Sequence, residues 1–271
     1  MARQKWGQHF LKDDATARRL VAAVGVRKQE TILEIGPGTG RMTRALLEVA
    51  DRVLALEVDP RLAAALPGRV EQPDRLIVVE ADAARDDLAG LMDRHLGRDT
   101  LARAVGNLPY ESATAILGRL LSLRPRLLGV AALLQREVAE RIVSPPGTRS
   151  YGYLSVVCQD VAEARLVQRL KPGAFRPPPR VHSAMVTLAF RDTPLHGDLD
   201  EKRFLALVGA LFRQRRKTIL NNLQAATALD KNAAATVLTR LDLSPQLRPE
   251  DLALEKLVAL ARAVEEESQL P

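Results

Sequence analysis

Cysteine is almost missing from this chain of 271 residues. Cys158 stands alone, so no internal disulfide can form and no cysteine pair is available for zinc or an iron–sulfur cluster. The four histidines, at positions 9, 95, 182 and 196, show no metal-ligand spacing, and no metal cofactor is expected. Long apolar runs are absent too. The densest, Leu127–Leu134, has eight residues, against the roughly 18 that a membrane-spanning helix needs. The opening "MARQKWGQHF" carries charge but no apolar stretch follows it, which argues against a secretion signal. A reducing cytoplasm is therefore the expected compartment, with no membrane partner. Internal repeats and low-complexity segments are also lacking.

What is present is ample apolar material, 46% of the residues, enough for one large domain or two ordinary ones. The formal net charge is +7, and its placement says more than its size. From Asp198 onward eleven basic residues balance eleven acidic ones, so the excess lies entirely in the first 197 residues. Within these, residues 164–191 contain Arg165, Arg169, Lys171, Arg176, Arg180 and Arg191 with no acid. Residues 112–136 contain Arg119, Arg124, Arg126 and Arg136, again with none. Two acid-free basic stretches favour a track for a phosphate backbone over ordinary solvated surface.

Short apolar runs recur: "TILEI" (31–35), "VLALEV" (53–58), "LIVV" (76–79), "ARAV" (102–105) and "LLGVAALL" (127–134). Amphipathic helical patterns separate them, such as "RMTRALLEVA" after the first. Strands buried on both faces and alternating with helices predict a parallel α/β sheet. Farther on, "YLSVVCQDVAEARLVQRL" and "SAMVTLAF" read as further strands bracketing the turn-rich "KPGAFRPPPR", an antiparallel addition at one sheet edge. After the linker "RDTPLHGD" (191–198) the apolar spacing becomes helical: Phe204, Leu207, Val208, Leu211 and Phe212 first, then Leu257, Val258, Ala261 and Val264. Pro249, Glu250 and Asp251 supply first-turn chemistry for the last helix. The expected division is a sheet domain over 1–196 and a small all-helical domain over 197–271.

"EIGPGTG" (34–40) joins the first apolar run to the first helical pattern. Gly36, Gly38 and Gly40 permit a tight turn and close approach to a ligand. A dinucleotide fingerprint would want its last glycine where Arg41 stands, which argues against an NAD-dependent oxidoreductase. Glu57 ends the next run, 21 residues past Gly36, where a carboxylate can accept both ribose hydroxyls of a nucleoside. Asp82, after "LIVV", is placed to accept from an adenine amino group. S-adenosylmethionine suits these features, because it carries adenosine without a pyrophosphate.

The fourth run ends in Asn107-Leu108-Pro109-Tyr110. An exocyclic adenine amine is a poor nucleophile, since its lone pair is delocalised into the ring. Asn107's oxygen and the Leu108 carbonyl are candidates to accept both N–H groups and draw the nitrogen toward tetrahedral geometry. Pro109 would fix the carbonyl's direction. Tyr110 offers a face on which a displaced base can stack, worth ~1–3 kcal/mol.

"QKWGQHFL" (4–11), "EIGPGTG", "ALEVD" (55–59), "GNLPY" (106–110), "LLQREVAERIV" (133–143), "AFRPPPRVHSA" (174–184) and "RQRRKTILNNL" (213–223) occur in this order. Together they resemble the small-subunit rRNA adenine N6,N6-dimethyltransferases of the KsgA type, over residues from about 3 to about 260. The resemblance implies a Rossmann-like class I methyltransferase sheet with a helical C-terminal domain. It also implies S-adenosylmethionine-dependent dimethylation of two adjacent adenosines in the 3′-terminal hairpin of 16S rRNA, during late 30S assembly. By position it implies cofactor contacts at His9, Leu11, Gly36, Gly38, Glu57, Asp82 and Asn107. His9 departs from the family's usual Asn, although an imidazole can still donate to the methionine carboxylate. Trp6 likewise replaces the usual Phe. Phe175 would close the base pocket opposite Tyr110. Arg213, Arg215, Arg216 and Lys217, together with Arg176 and Arg180, are the expected rRNA contacts. A monomer without an obligate protein partner is expected.

The alternatives differ in substrate or in class. A 23S rRNA adenine methyltransferase of the macrolide-resistance type shares chemistry and fold, but "QRRKT" and "PPPRV" argue against it. DNA and glutamine N-methyltransferases more usually carry Asn-Pro-Pro-Tyr, against which Leu108 speaks. A non-catalytic RNA-binding assembly factor on the same fold is disfavoured by the intact Glu57, Asp82 and Asn107–Tyr110.

Overall fold

The structure, a computed structural model, describes residues 8–267, so Trp6 lies outside it. The strands are β1 (Phe10–Leu11), β2 (Thr31–Ile35), β3 (Arg52–Glu57), β4 (Leu76–Glu80), β5 (Ala102–Asn107), β6 (Leu127–Gln135), β7 (Ala162–Leu170), β8 (Phe175–Arg176) and β9 (Ser183–Phe190). The helices are α1 (Asp14–Val24), α2 (Arg41–Leu47), α3 (Pro60–Ala65), α4 (Leu88–Leu96), α5 (Ala113–Ser122), α6 (Arg136–Val143), α7 (Tyr153–Val161), α8 (Glu201–Arg213), α9 (Ile219–Ala226), α10 (Lys231–Arg240) and α11 (Leu254–Glu267). Among the described residues two compact units result, one of residues 8–139 and 163–190, the other of residues 140–162 and 191–267.

The first unit is built on a seven-stranded sheet of order β4-β3-β2-β5-β6-β9-β7. β2 pairs in parallel with both β3 and β5, and β9 runs antiparallel to β6. The parallel α/β sheet expected from the apolar runs is observed, in the Rossmann-like arrangement that the resemblance implies. Ile32, Leu33, Val53, Leu54, Ala104 and Val105 are all buried, as strands covered on both faces must be. Each large aliphatic side chain so removed from water contributes about 1.5–3 kcal/mol. From β2 the chain moves outward to β3 and β4, and the later strands β5 and β6 extend the other way. The order therefore reverses between β2 and β5, and the crevice beyond their carboxyl ends is where such sheets bind ligands. Close approach of these two strands depends on Gly106, where a Cβ would lie 2.6 Å from the Ile35 carbonyl oxygen.

A two-stranded ribbon flanks this crevice. β1 pairs antiparallel with β8, setting Phe10 opposite Arg176 and Leu11 opposite Phe175. α1 follows, capped by Asp13, whose side chain accepts from the Thr16 amide at 2.7 Å.

The second unit packs Phe204, Val208, Leu211, Ile219, Leu223, Val237, Leu238, Leu257 and Leu260 into one apolar core. Tyr151 and Val156 belong to that core as well, so residues 140–162 join the helical unit instead of the sheet side of a cut at 196/197. The run from Tyr153 to Val161 is accordingly a helix, where its β-branched composition predicts a strand; only Ala162–Leu170 is extended. Tertiary bonds decide this. Gln159 donates to the Ile142 and Ser144 carbonyls at 2.8 and 2.9 Å, which satisfies the end of α6. Asp160 is buried and accepts from the His196 backbone at 2.8 Å and faces its Nδ1 at 2.6 Å. Pro249–Asp251 form a separate 3₁₀ turn ahead of α11. No helix among the described residues is long and apolar enough to cross a membrane.

Candidate active site

A cleft opens at the carboxyl ends of β2, β3 and β5, lined by His9, Phe10, Gly38, Glu57, Asn107 and Tyr110 among others. Glu57 is 1% exposed. Its Oε2 accepts from the Gly38 amide at 2.9 Å and its Oε1 from the Asp59 amide at 3.0 Å. Burial pushes the Glu57 carboxyl above its ordinary value, and the amides of Asp59 and Gly38 oppose that rise. The same contacts tie the glycine loop to the end of β3. Gly38 itself has φ +58°, and a Cβ there would meet the Phe10 ring at 2.6 Å, so position 38 favours glycine.

Leu108 donates its amide to the Leu133 carbonyl at 3.1 Å, extending the β5–β6 pairing one residue past the strand. The chain then turns into α5, with the Ser112 amide donating to the Pro109 carbonyl at 3.1 Å. Asn107 donates from Nδ2 to the His9 carbonyl at 2.7 Å. A carbonyl only accepts, which settles the amide's orientation and leaves Oδ1 as its remaining acceptor. Tyr110 is half-buried, and its hydroxyl shares a 2.7 Å hydrogen bond with Ser183 Oγ. Burial raises the pKa of Tyr110 and keeps it a neutral phenol.

His9 has a more constrained position than its sequence suggests. Its Nδ1 lies 2.8 Å from the Pro177 carbonyl oxygen, so Nδ1 carries the proton and donates. Nε2 is then an acceptor on the neutral ring, and donation from it to a carboxylate requires the imidazolium. The ring also stands 5.6 Å from that of Tyr110, tilted by 33°.

Three other expected site residues, Leu11, Phe175 and Asp82, are not among those lining the cleft. Leu11 and Phe175 face each other across the ribbon, and both are buried in the sheet unit's core with Leu20, Leu133 and Met185. At 3% exposure, Phe175 packs in this core and is not among the cleft-lining residues. Asp82 stays on the rim beyond β4, where its Oδ1 accepts from the Ala84 amide at 2.9 Å, but it does not line the cleft. Gly36 and Gly38 do line it.

Sequence reasoning overlooked Glu34. Glu34 lines a small recess beside the cleft with Phe10, Leu11, Gly36, Arg41 and Asn107. It is 1% exposed, and neither carboxylate oxygen has a hydrogen-bond partner; the nearby Thr43 hydroxyl has none either. Burial pushes its pKa up to about 8; proximity of Thr43 offsets part of this, and Glu57 adds repulsion. A carboxylate inside the otherwise apolar "TILEI" was the available signal.

The basic cluster divides. Arg213, Arg216 and Lys217 are exposed. Arg215 instead donates to Glu250 at 2.9 Å and to the Arg149 and Tyr151 carbonyls at 2.9 and 2.8 Å, stapling the helical unit together. Arg176 and Arg180 are exposed on the sheet unit. The stretch 112–136 is less available than its composition suggests: Arg119 donates to the Asp86 carbonyl, and Arg126 to Asp93 and the Gly97 carbonyl. Among the described residues no group of three or more His, Cys, Asp or Glu side chains is arranged to hold a metal ion.

Known proteins resemble this chain over most of its length. The family model described as ribosomal RNA adenine dimethylase matches residues 1–254. Proteins named ribosomal RNA small subunit methyltransferase A are similar over nearly the whole chain. The one from Acinetobacter baylyi is 38% identical over 96% of this chain and 91% of its own length. That of Anaeromyxobacter sp. is 38% identical over 97% and 93%. Among solved structures, a dimethyladenosine transferase from Plasmodium falciparum superposes with a TM-score of 0.80 at 23% identity, covering 96% of this chain and 98% of that one. The 23S rRNA methyltransferase ErmE gives 0.73 at 24% identity, covering 94% and 99%. At such identities these two structures establish the fold alone.

Proposed function

The chain belongs to the ribosomal RNA adenine dimethylase family, and from that premise we propose that it dimethylates N6 of two adjacent adenosines in the 3′-terminal hairpin of 16S rRNA. S-adenosylmethionine is the methyl donor in this reading, and the setting is late 30S assembly in the cytoplasm. The observation that carries it is the meeting of Glu57 and Asn107–Tyr110 in one cleft at the switch point of the sheet. A 23S rRNA substrate is not favoured, because the extensive matches at 38% identity carry the small-subunit name.

The cleft fits the cofactor's adenosine. Glu57 Oε2 accepts from the Gly38 amide and keeps a lone pair for a ribose hydroxyl; on Oε1, beside the Asp59 amide, a second hydroxyl takes the place of a long 3.5 Å contact from Gln8 Nε2. The Gly38 turn places bare backbone against the Phe10 ring, where a side chain would clash, and so keeps its amide on Glu57. When bound, S-adenosylmethionine supplies an electrophilic methyl group on a sulfonium. The chain's residues do the rest. Asn107 Oδ1 and the Leu108 carbonyl accept the two N6 hydrogens, Tyr110 carries the displaced base on its face, and Ser183 holds the Tyr110 ring in place. The amine's proton leaves to solvent after the N–C bond forms, so no general base is required.

Replacing Glu57 by Ala is expected to weaken S-adenosylmethionine binding at least tenfold, since a buried hydrogen bond to a charged acceptor contributes ~1.5–3 kcal/mol. Titration calorimetry measures this, with circular dichroism checking that the fold stays intact once the Gly38 amide has no acceptor. Tight NADH binding without a signal for S-adenosylmethionine would end this reading. Primer extension on 16S rRNA from a deletion strain, with and without this gene restored, tests the substrate.

In the helical unit, replacing Arg213, Arg216 and Lys217 together should reduce the salt dependence of subunit binding, by ~0.7–0.9 in log–log slope for each phosphate no longer neutralised. Their exposure predicts an unchanged melting temperature. Arg215→Ala should do the reverse, lowering thermal stability because Glu250 and two carbonyls lose their donor. Equal salt effects from both variants would remove the distinction.

A further inference from the structure

A second concavity lies on the sheet unit between α1 and the turn that joins β7 to β8. Thr16, Arg19, Gln168, Arg169 and Lys171 line it with three apolar residues, and its volume is about 120 Å³. No acid is among its lining residues. Arg19 comes from a segment about 150 residues away from the other two cations, so the sequence alone does not reveal the cluster.

The arginines around this notch are paired, whereas those in it are not. Arg18 pairs with Glu48, Arg41 and Arg44 with Asp14, and Arg165 with Glu163. Arg169 and Lys171 are exposed and make no ion pair among the described residues. Arg19 rests on the Thr16 hydroxyl at 3.0 Å. The nearby acid is Asp13, but it caps α1: its oxygens accept from the Thr16 amide at 2.7 Å and the Thr16 hydroxyl at 3.1 Å. Three cations lining one notch without an acid give it a positive potential that an anion would relieve. Two guanidinium forks and an ammonium match the oxygens of a phosphate group.

Position gives the anion an identity. The Lys12 amide donates to the Ala174 carbonyl at 2.8 Å, continuing the β1–β8 ribbon toward the notch. His9 and Phe10 of the cleft stand at the other end of that ribbon, a few residues or ~10 Å of extended chain away. Arg176, opposite Phe10, is exposed on the way. A strand that follows this ribbon away from an adenosine in the cleft would reach the notch within a few nucleotides.

We propose that this notch binds a backbone phosphate of the substrate RNA within a few nucleotides of the adenosine under reaction. The proposal rests on the reading of the chain as an rRNA methyltransferase, and Arg19, Arg169 and Lys171 are positioning residues for that reaction. The test compares wild-type protein with Arg169→Gln/Lys171→Gln and with Arg19→Gln, using unmethylated 30S subunits at salt concentrations between about 50 and 200 mM. The double variant should lower the log–log salt slope by ~0.7–0.9, the contribution of one phosphate, and Arg19→Gln by part of that amount. KM for subunits should rise with kcat and S-adenosylmethionine affinity unchanged, the signature of weakened uniform binding. Arg165→Gln, whose residue already pairs with Glu163, is the control and should leave the slope unchanged. Wild-type slopes in both notch variants, with wild-type protein binding and methylating subunits, would overturn the proposal and leave the functional reading standing. Titration with inorganic phosphate separates the sources: phosphate binding abolished in the double variant with no change in RNA slope would mean a free-anion site, and would also overturn it. If wild-type protein neither binds nor methylates 30S subunits, both readings fall together.

Discussion

Asn107→Ala is expected to slow methyl transfer by ~100–1,000-fold while leaving fold and subunit binding intact. The magnitude follows from removing one positioned polar group at a reacting centre, ~2.7–4 kcal/mol by analogy with loss of an oxyanion-hole donor. The structure explains why the effect should be confined to chemistry. Asn107 is only partly buried, so truncation opens no core cavity, and the backbone beyond it stays anchored through the Leu108–Leu133 hydrogen bond. The His9 carbonyl loses its 2.7 Å donor, a partly exposed bond that water can replace. Single-turnover transfer of labelled methyl onto unmethylated 30S subunits measures the effect, with subunit binding measured alongside. Asn107→Asp sharpens it: the acceptor is kept, but a carboxylate cannot donate to the His9 carbonyl. A rate in Asn107→Asp well above that of Asn107→Ala would assign the chemistry to the oxygen. Wild-type rates in both would reduce the side chain to a tether for His9.

The second large effect concerns Glu34 and is thermodynamic. Glu34→Gln should stabilise the ligand-free protein progressively as pH rises. The carboxyl's ordinary value is 4.5, and burial lifts it to about 8 in the folded chain. Below 4.5 both states are protonated, so Glu34 adds no pH dependence. Between 4.5 and 8 the unfolded chain ionises while the folded one holds its proton, and stability falls with rising pH. Above 8 both are ionised, the slope vanishes and the full loss remains. Each pH unit in that window is worth at most ~1.4 kcal/mol, so the total reaches a few kcal/mol. Glutamine imitates the neutral acid and does not titrate. Melting temperatures of the two proteins should therefore coincide near pH 4 and separate by several degrees at pH 8. Asp13, Asp14, Asp59 and Asp198, whose carboxyls lie below their ordinary value, act in the opposite sense but equally in both proteins. A difference that does not grow with pH would show that Glu34 finds a partner in solution.

The sequence by itself determined the parallel sheet, the glycine turn, Glu57 at the end of β3 and Asn107–Tyr110 beyond β5. These features are local: buried strands are continuous apolar runs, and the residues following them occupy the sheet's carboxyl rim without further information. Tertiary structure alone decided the rest. It folded Tyr153–Val161 as a helix because Gln159 and Asp160 find partners at Ile142, Ser144 and His196. Phe175 entered the core through pairing across the ribbon with Leu11, which no spacing within "AFRPPPRV" encodes. Charge was the least legible property. The acid-free stretch 112–136 reads as free cation, yet Arg126 meets Asp93 from 33 residues away, while Arg19 joins Arg169 and Lys171 across half the chain. Coulombic attraction and burial depend on distance in space, and a chain that folds back on itself makes neighbours that its sequence order does not show.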